Sequence, residues 1–144
     1  DDQFAHRYMY DADNRLIQVE TSTDEVHWDR DAKYDYYRHG PLSRTTLGQL
    51  KVQGMDYAYT LHGWLKAVNS STLDASRDIG QDGFAGSLNL PVARDVFGFS
   101  LHYYDGDYTS INGSTATSSN YFLMQESVTG GFTQKVASLY NGNI

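Results

Sequence analysis

Asp74, Asp78 and Asp82 stand four residues apart in a stretch rich in Ser and Gly. Three carboxylates are a donor set that a hard cation such as calcium accepts. The spacing argues against such a site, because an EF-hand loop places ligands at every second position and ends in a bidentate Glu, and neither feature occurs here. The three aspartates therefore read as a solvated acidic loop. Asp105 and Asp107 are a second carboxylate pair, the equipment of glycoside hydrolysis, but that chemistry needs the two groups set across a cleft. Asp105-Gly106-Asp107 is read as a turn instead. His6, His27, His39, His62 and His102 form no compact cluster with Asp or Glu, whereas a metal centre needs three or four converging donors. With no Cys there is no thiol nucleophile, and no Gly-x-Ser-x-Gly elbow, His-Glu-x-x-His helix, Walker loop or Rossmann glycine pattern occurs. The reading is of a chain without catalytic residues, metal or cofactor. Trp28 and Trp64, beside polar neighbours, are the candidate carbohydrate contacts, since exposed aromatic rings stack on sugar faces.

The elements that would position these groups repeat. Tyr8-Met9-Tyr10-Asp11-Ala12-Asp13-Asn14-Arg15-Leu16, Tyr34-Asp35-Tyr36-Tyr37-Arg38-His39-Gly40-Pro41-Leu42 and Tyr57-Ala58-Tyr59-Thr60-Leu61-His62-Gly63-Trp64-Leu65 share one pattern, and the copies begin 26 and 23 residues apart. A period of this size marks units that cannot bury an apolar face alone and must stack on their neighbours. In a strand, residues two apart share a face, so each Tyr-x-Tyr offers two rings to one layer. From Val26 to Tyr37 the apolar Val26, Trp28, Ala32, Tyr34 and Tyr36 alternate with His27, Asp29, Asp31, Lys33 and Asp35, the period of a half-buried strand, with Arg30 the one charge on the apolar face. Asn14, Gly40 and Gly63 supply the positive φ of a tight turn, and Leu16, Leu42 and Leu65 begin the returning strands. Tyr8, Tyr10, Tyr34, Tyr36, Tyr57 and Tyr59, with the three leucines, are expected to carry the packing between repeats. His39 and His62 are then turn residues, His27 lies on a polar strand face and His102 near a strand end.

Tyr10-Asp11-Ala12-Asp13-Asn14-Arg15-Leu16-Ile17-Gln18-Val19 resembles the YD repeat of the Rhs family: a Tyr, an Asp, a short turn ending in Gly, then Arg-Leu and a strand ending in Val. Asn14 stands where Gly is usual. In the later copies Tyr37 and Thr60 replace the Asp, and Pro41 and Trp64 replace the Arg, so the bond that Arg makes is not assumed there. Asp56 to Asn69 and the closing Leu139-Tyr140-Asn141-Gly142-Asn143-Ile144 are similar to divergent repeats of large Rhs-type surface proteins of Bacteroidetes-like bacteria. The resemblance is specific over residues 4–69. It implies a secreted or surface-exposed chain whose repeats coil into a β-sheet strip that closes as a hollow shell, in relatives around a C-terminal toxic segment released by aspartate-dependent self-cleavage. The Asp-Pro pairs expected near such a cleavage site do not occur, since Gly40 and Leu90 precede the only prolines, Pro41 and Pro91.

Composition sets further bounds. The 144 residues suit one domain, and a net charge of -7 disfavours nucleic acid and anionic membranes, which call for basic patches. A mean hydropathy of -0.56 and 40% hydrophobic residues describe a thin core, to which 12 tyrosines contribute much of the burial. Tyr suits a sheet with one wet side, because its ring packs across strands while its hydroxyl meets water. No apolar run is long enough to span a membrane. The absence of Cys fits a secreted chain and a cytosolic one equally, so a secreted or surface location rests on the resemblance alone.

Between 70 and 94 the pattern lapses into a loop-rich insertion punctuated by Gly80, Gly83, Gly86 and Pro91. Strand grammar returns at Val96–Tyr104, followed by the Asp105-Gly106 turn, a Ser/Thr-rich loop over 109–120, and strands at 121–124 and 132–140 around Gly130-Gly131. The whole, residues 1–144, reads as an excised piece of a longer repeat protein: an all-β antiparallel meander of YD-type hairpins forming a twisted sheet strip, with repeats over 4–69, the insertion at 70–94 and further hairpins over 95–144. The expected role is structural, in a shell or extracellular scaffold. Its expected partners are flanking repeats of the same polypeptide and an enclosed C-terminal segment, with self-association through open sheet edges. The alternative is a carbohydrate-binding or adhesive module that takes a cell-surface glycan through Trp28 or Trp64.

Overall fold

In the computed structural model, which describes residues 3–70 and 73–104, each Tyr-x-Tyr segment ends a strand and the Asn or Gly beyond it folds the chain back. The fold is all-β. Strands β1 (Ala5–Tyr10), β2 (Leu16–Ser22), β3 (Asp29–Tyr36), β4 (Leu42–Leu47), β5 (Gln53–Tyr59), β6 (Leu65–Val68) and β7 (Phe99–Ser100) form one open antiparallel sheet in the order of the chain.

The same turn closes three of the hairpins. The N–H of its first residue donates to the carbonyl of its fifth, Asp11 to Arg15 at 2.9 Å, Tyr37 to Pro41 at 2.8 Å and Thr60 to Trp64 at 2.8 Å. The N–H of its fourth residue donates back to the first, from Asn14, Gly40 and Gly63, whose φ values are 61°, 120° and 82°. This is a three-residue hairpin loop with a left-handed residue and a bulge, and the pairing shifts register at Met9/Tyr10, Asp35/Tyr36 and Ala58/Tyr59. Side chains at the first position follow what the fifth position needs. Asp11 Oδ1 accepts the Arg15 N–H at 2.9 Å and Thr60 Oγ1 accepts the Trp64 N–H at 3.2 Å. Pro41 has no N–H, and there Tyr37 instead donates its hydroxyl to the Tyr57 carbonyl at 2.7 Å. Asp11 also holds Arg15 Nε at 2.7 Å, and the Arg15 backbone N–H followed by its guanidinium keeps the Asp11 carboxyl below the usual range.

The tyrosines are not equally placed. Tyr34, Tyr36, Tyr57 and Tyr59 are half-buried, as are Leu16, Leu42 and Leu65, which pair across the bulges with Tyr10, Tyr36 and Tyr59. Tyr8 and Tyr10 are 53% and 56% exposed, contrary to the packing role expected of them, because no strand among the described residues lies outside β1. The expected strand from Val26 begins only at Asp29. Asp24 builds a turn instead, its Oδ1 accepting the N–H of Val26 at 2.9 Å and of His27 at 2.7 Å, and Val26 is left exposed.

The deepest burial is also not on the tyrosine face. Along β5, Gly54, Asp56 and Ala58 are buried, while Gln53, Met55, Tyr57 and Tyr59 are half-buried. The buried apolar residues, Ala32, Ala58, Ala67, Val68, Val92 and Tyr103, are mostly small, and among the described residues buried polar ones outnumber them. The cause is the connection between β6 and β7, which covers this second face. It leaves at Asn69, fully buried at φ 53°, whose Oδ1 accepts the Asp56 N–H and whose Nδ2 donates to the Phe97 carbonyl. It returns at Gly98, where any Cβ would overlap the backbone of Ser70. The Ala93 N–H donates to the Lys51 carbonyl, so the insertion is docked on the β4–β5 turn.

The strand expected over Val96–Tyr104 is short, with two residues in β7 and one further bond from the Leu101 N–H to the Lys66 carbonyl at 2.8 Å. Beyond it, Tyr103 donates its hydroxyl to the Leu65 carbonyl at 2.7 Å, as Tyr36 does to Leu16 at 2.7 Å. Leu65 and Leu16 hold the same place after the turn, so Tyr103 takes the part that Tyr36 plays two repeats earlier. The Asp105-Gly106 turn, the loop at 109–120 and the strands expected at 121–124 and 132–140 lie outside the described residues.

Candidate functional site

Arg44 and Asp56 are direct partners across β4 and β5, and both point to the face that the insertion covers. Asp56 Oδ2 accepts from Arg44 Nη1, and Asp82 Oδ1, in the insertion, accepts from Nη2 at 2.6 Å. One planar guanidinium thus joins a carboxylate of the sheet to one of the connection, a geometry that a lysine cannot provide. The side chains of Arg44, Asp56 and Asp82 are 11%, 7% and 1% exposed.

Two more carboxylates complete the cluster. Asp78 is buried and accepts the Asp82 N–H at 3.3 Å through Oδ2. Asp95 takes Gln53 Nε2 on Oδ1 at 3.0 Å. Burial pushes the Asp95 carboxyl up to about 8, and the neighbouring Asp78, Asp82 and Asp56 act in the same direction, so Asp95 holds a proton at neutral pH. Burial likewise raises Asp56 to about 6 against the pull of Arg44, and raises Asp82. Asp78 Oδ1, Asp82 Oδ2 and Asp95 Oδ2 are buried without a hydrogen-bond partner. Asp56, Asp78 and Asp82 each present a carboxylate oxygen within 4.8 Å of the others, the arrangement among the described residues that could hold a metal ion.

This overturns the solvated-loop reading for two of the three aspartates. Asp78 and Asp82 are buried at 3% and 1% exposure. Asp74 is exposed, and its Oδ1 caps the Ser76 N–H at 2.9 Å. The four-residue spacing was not the relevant one, because the third member of the group, Asp56, comes from β5. Two glycines make the close approach possible. A Cβ on Gly54 would overlap Asp82 Oδ2 and Arg44 Nη2, and one on Gly80 would overlap Asp56 Oδ2 and Arg44 Nη1. Gly54→Ala or Gly80→Ala should therefore cost about 2 kcal/mol by overpacking a locked group, whereas Gly86→Ala meets no neighbour within 4 Å and bears only the backbone strain of its φ of 93°. Chemical denaturation of the three variants checks this, and equal stability of Gly54→Ala and parent would refute it.

The sign of the pH dependence follows from the raised carboxyls. A carboxyl that keeps its proton to higher pH when folded makes the folded state bind more protons, so stability falls as pH rises from the unfolded value near 4 through the folded ones. For Asp56 and Asp95 that window runs from about 4 to about 6 and about 8. Asp95 is faced by Asp78 and Asp82 of its own connection and by Gln53 and Asp56 of the sheet. With a chelator present, Tm should decline from pH 5 to pH 8, and Asp95→Asn should flatten the decline. A Tm that climbs over this range would contradict the assignment.

The other candidate residues lie elsewhere. Trp28 is half-buried with the Arg7 guanidinium 4.3 Å from its ring centre, and Arg7 is itself paired with Glu20. Trp64 is stacked on His62 at 5.3 Å and meets the edge of Tyr103 at 5.2 Å. The two indoles are in separate hairpins and each has a face or an edge occupied. His39 stacks on Tyr37 at 5.4 Å, and His27 Nδ1 lies 2.7 Å from Asp24. His102 lies between Lys66 Nζ at 3.2 Å and Ser100 Oγ at 3.0 Å. An ammonium only donates, so Nδ1 accepts and Nε2 carries the hydrogen offered to Ser100, the reverse of a base that takes a serine proton. Sequence reasoning missed Arg44, Asp56 and Asp95. The one signal for them was the isolated acid at Asp56 beside the small residues Gly54 and Ala58. Comparison with family models, with curated proteins and with solved structures found no match for this chain.

Proposed function

We propose that the chain is a non-catalytic structural segment of a large protein of the Rhs/YD-repeat kind, one stretch of a β-sheet shell or extracellular scaffold. The observation that supports this is the recurring turn. Every second hairpin, β1–β2, β3–β4 and β5–β6, closes through the same pair of backbone bonds, and the strands add in chain order. Such a sheet has no internal stop, and among the described residues the outer edge of β1 is unpaired. Flanking repeats of the same polypeptide are its natural partners there, and a second copy of the chain is the substitute partner when they are absent. An enclosed C-terminal segment and a secreted or surface location belong to the same proposal. No helix among the described residues is long and apolar enough to cross a membrane.

The test is light scattering over a concentration series, with a glycan array probed by the same samples. A folded chain that associates with rising concentration and binds no glycan is the expected result. A chain that stays monomeric throughout would remove the open-edge argument. Saturable binding of one sugar class, lost in Trp28→Ala or Trp64→Ala, would replace the scaffold with a carbohydrate-binding module.

A further inference from the structure

We propose that Asp56, Asp78 and Asp82 form a calcium site that fastens the connection between β6 and β7 to the sheet. Charge is the first ground. Three buried carboxylates are in one group, and among the described residues the one cation paired with them is Arg44. Two negative charges remain uncompensated where water is excluded, and burial without a counter-charge is costly. A divalent cation supplies the balance.

The second ground is independent of charge. Asp82 Oδ2 is a buried oxygen with no hydrogen-bond partner, in a residue 1% exposed, whereas Asp78 has the protonated Asp95 beside it. Buried polar atoms in folded proteins are ordinarily satisfied, and an orphaned one points to a missing partner. That partner must be a Lewis acid or a hydrogen-bond donor, and the Arg44 guanidinium is already engaged by Asp56 Oδ2 and Asp82 Oδ1.

The donor set chooses the ion. Every ligand is a carboxylate oxygen, without imidazole or thiolate, which favours a hard cation over zinc or copper. Oxygens within 4.8 Å of one another fit on one calcium ion, whose bonds of about 2.3–2.6 Å span up to about 5 Å. Magnesium demands near-ideal octahedral geometry at about 2.0–2.1 Å and dehydrates reluctantly, whereas calcium accepts irregular carboxylate sets. The site joins residues of β5 to residues far along the chain, so occupancy would hold the connection in place. This inference does not depend on the scaffold reading.

The experiment is isothermal titration of calcium chloride into the full 144-residue chain, stripped of metal with a chelator and then dialysed. Parallel runs use magnesium chloride and the variants Asp78→Asn and Asp74→Asn, and circular dichroism verifies that each protein is folded. Saturable 1:1 calcium binding with Kd of about 10⁻³ M or tighter is expected. Magnesium should bind more weakly, and Tm should rise with calcium. Asp78→Asn should weaken binding by at least about tenfold, while Asp74→Asn, an exposed acid, leaves it unchanged. No saturable calcium binding by the folded parent overturns the proposal, as does magnesium binding as tight as calcium. Undiminished binding by folded Asp78→Asn, or an equal loss in Asp74→Asn, overturns the assignment of these ligands. If Asp78→Asn does not fold, Asp82→Asn takes its place under the same criteria.

Discussion

Arg44→Met is expected to lower the stability of this chain by about 4 kcal/mol, roughly 10 °C in Tm, the largest effect of any single substitution considered. Methionine keeps much of the stem volume, so the loss isolates the guanidinium. Arg44 is the group through which Asp56 of β5 and Asp82 of the connection share one counter-charge. Without it, those two carboxylates and Asp78 are left in an enclosed site with no cation among the described residues. A surface ion pair would be worth only about 0–1 kcal/mol, but the Asp82 side chain is 1% exposed, and an unpaired buried charge is costly. Arg44→Lys should fall between parent and Arg44→Met, because one ammonium cannot engage both carboxylates with the same fork. Adding Asp82→Asn to Arg44→Met should recover part of the loss, since neighbouring sites are coupled. Urea denaturation of the four proteins checks all of this. An Arg44→Met protein within about 1 kcal/mol of parent would mean that Arg44 does not hold the connection to the sheet, since a single substitution at an ordinary surface site costs no more than that.

Tyr36→Ala should cost about 3 kcal/mol, by a different route. The Tyr36 ring lies under the Arg15 guanidinium at 4.8 Å, and its hydroxyl donates to the Leu16 carbonyl at 2.7 Å. Truncation removes the ring, the cation above it and the donor together. Tyr36→Phe, which removes the donor alone, should cost about 1 kcal/mol. Tyr10→Ala at the equivalent place in the first repeat should cost less than about 1 kcal/mol, because Tyr10 is 56% exposed at the sheet's edge. Melting curves decide between the two cases. Equal losses for Tyr36→Ala and Tyr10→Ala would show that the repeat's tyrosines are not ranked by their place in the sheet.

That contrast marks how far the sequence could be read. The all-β meander was legible because its causes are local. A Tyr-x-Tyr alternation, a residue suited to positive φ four positions on and a Leu to start the return are all within nine residues, and Asn14, Gly40 and Gly63 take up that backbone conformation. The Asp11–Arg15 pair spans four residues and belongs to the same class. Identical motifs nevertheless differ in burial, since Tyr10 and Tyr36 occupy the same register but have different numbers of strands beside them.

The cluster was not legible. Arg44 and Asp82 are 38 residues apart, and Gln53 and Asp95 are 42. No periodicity links them, and Asp78 and Asp82 in isolation have the composition of a wetted loop. By itself the sequence determined the all-β antiparallel meander and the turns at Asn14, Gly40 and Gly63, because hairpin geometry is decided by neighbours along the chain. Which face of the sheet became the interior was decided by tertiary structure alone. Burial of a carboxylate depends on what the chain brings over it, and here the 69–98 connection folds across β4 and β5, converting two loop aspartates and a strand arginine into a desolvated cluster.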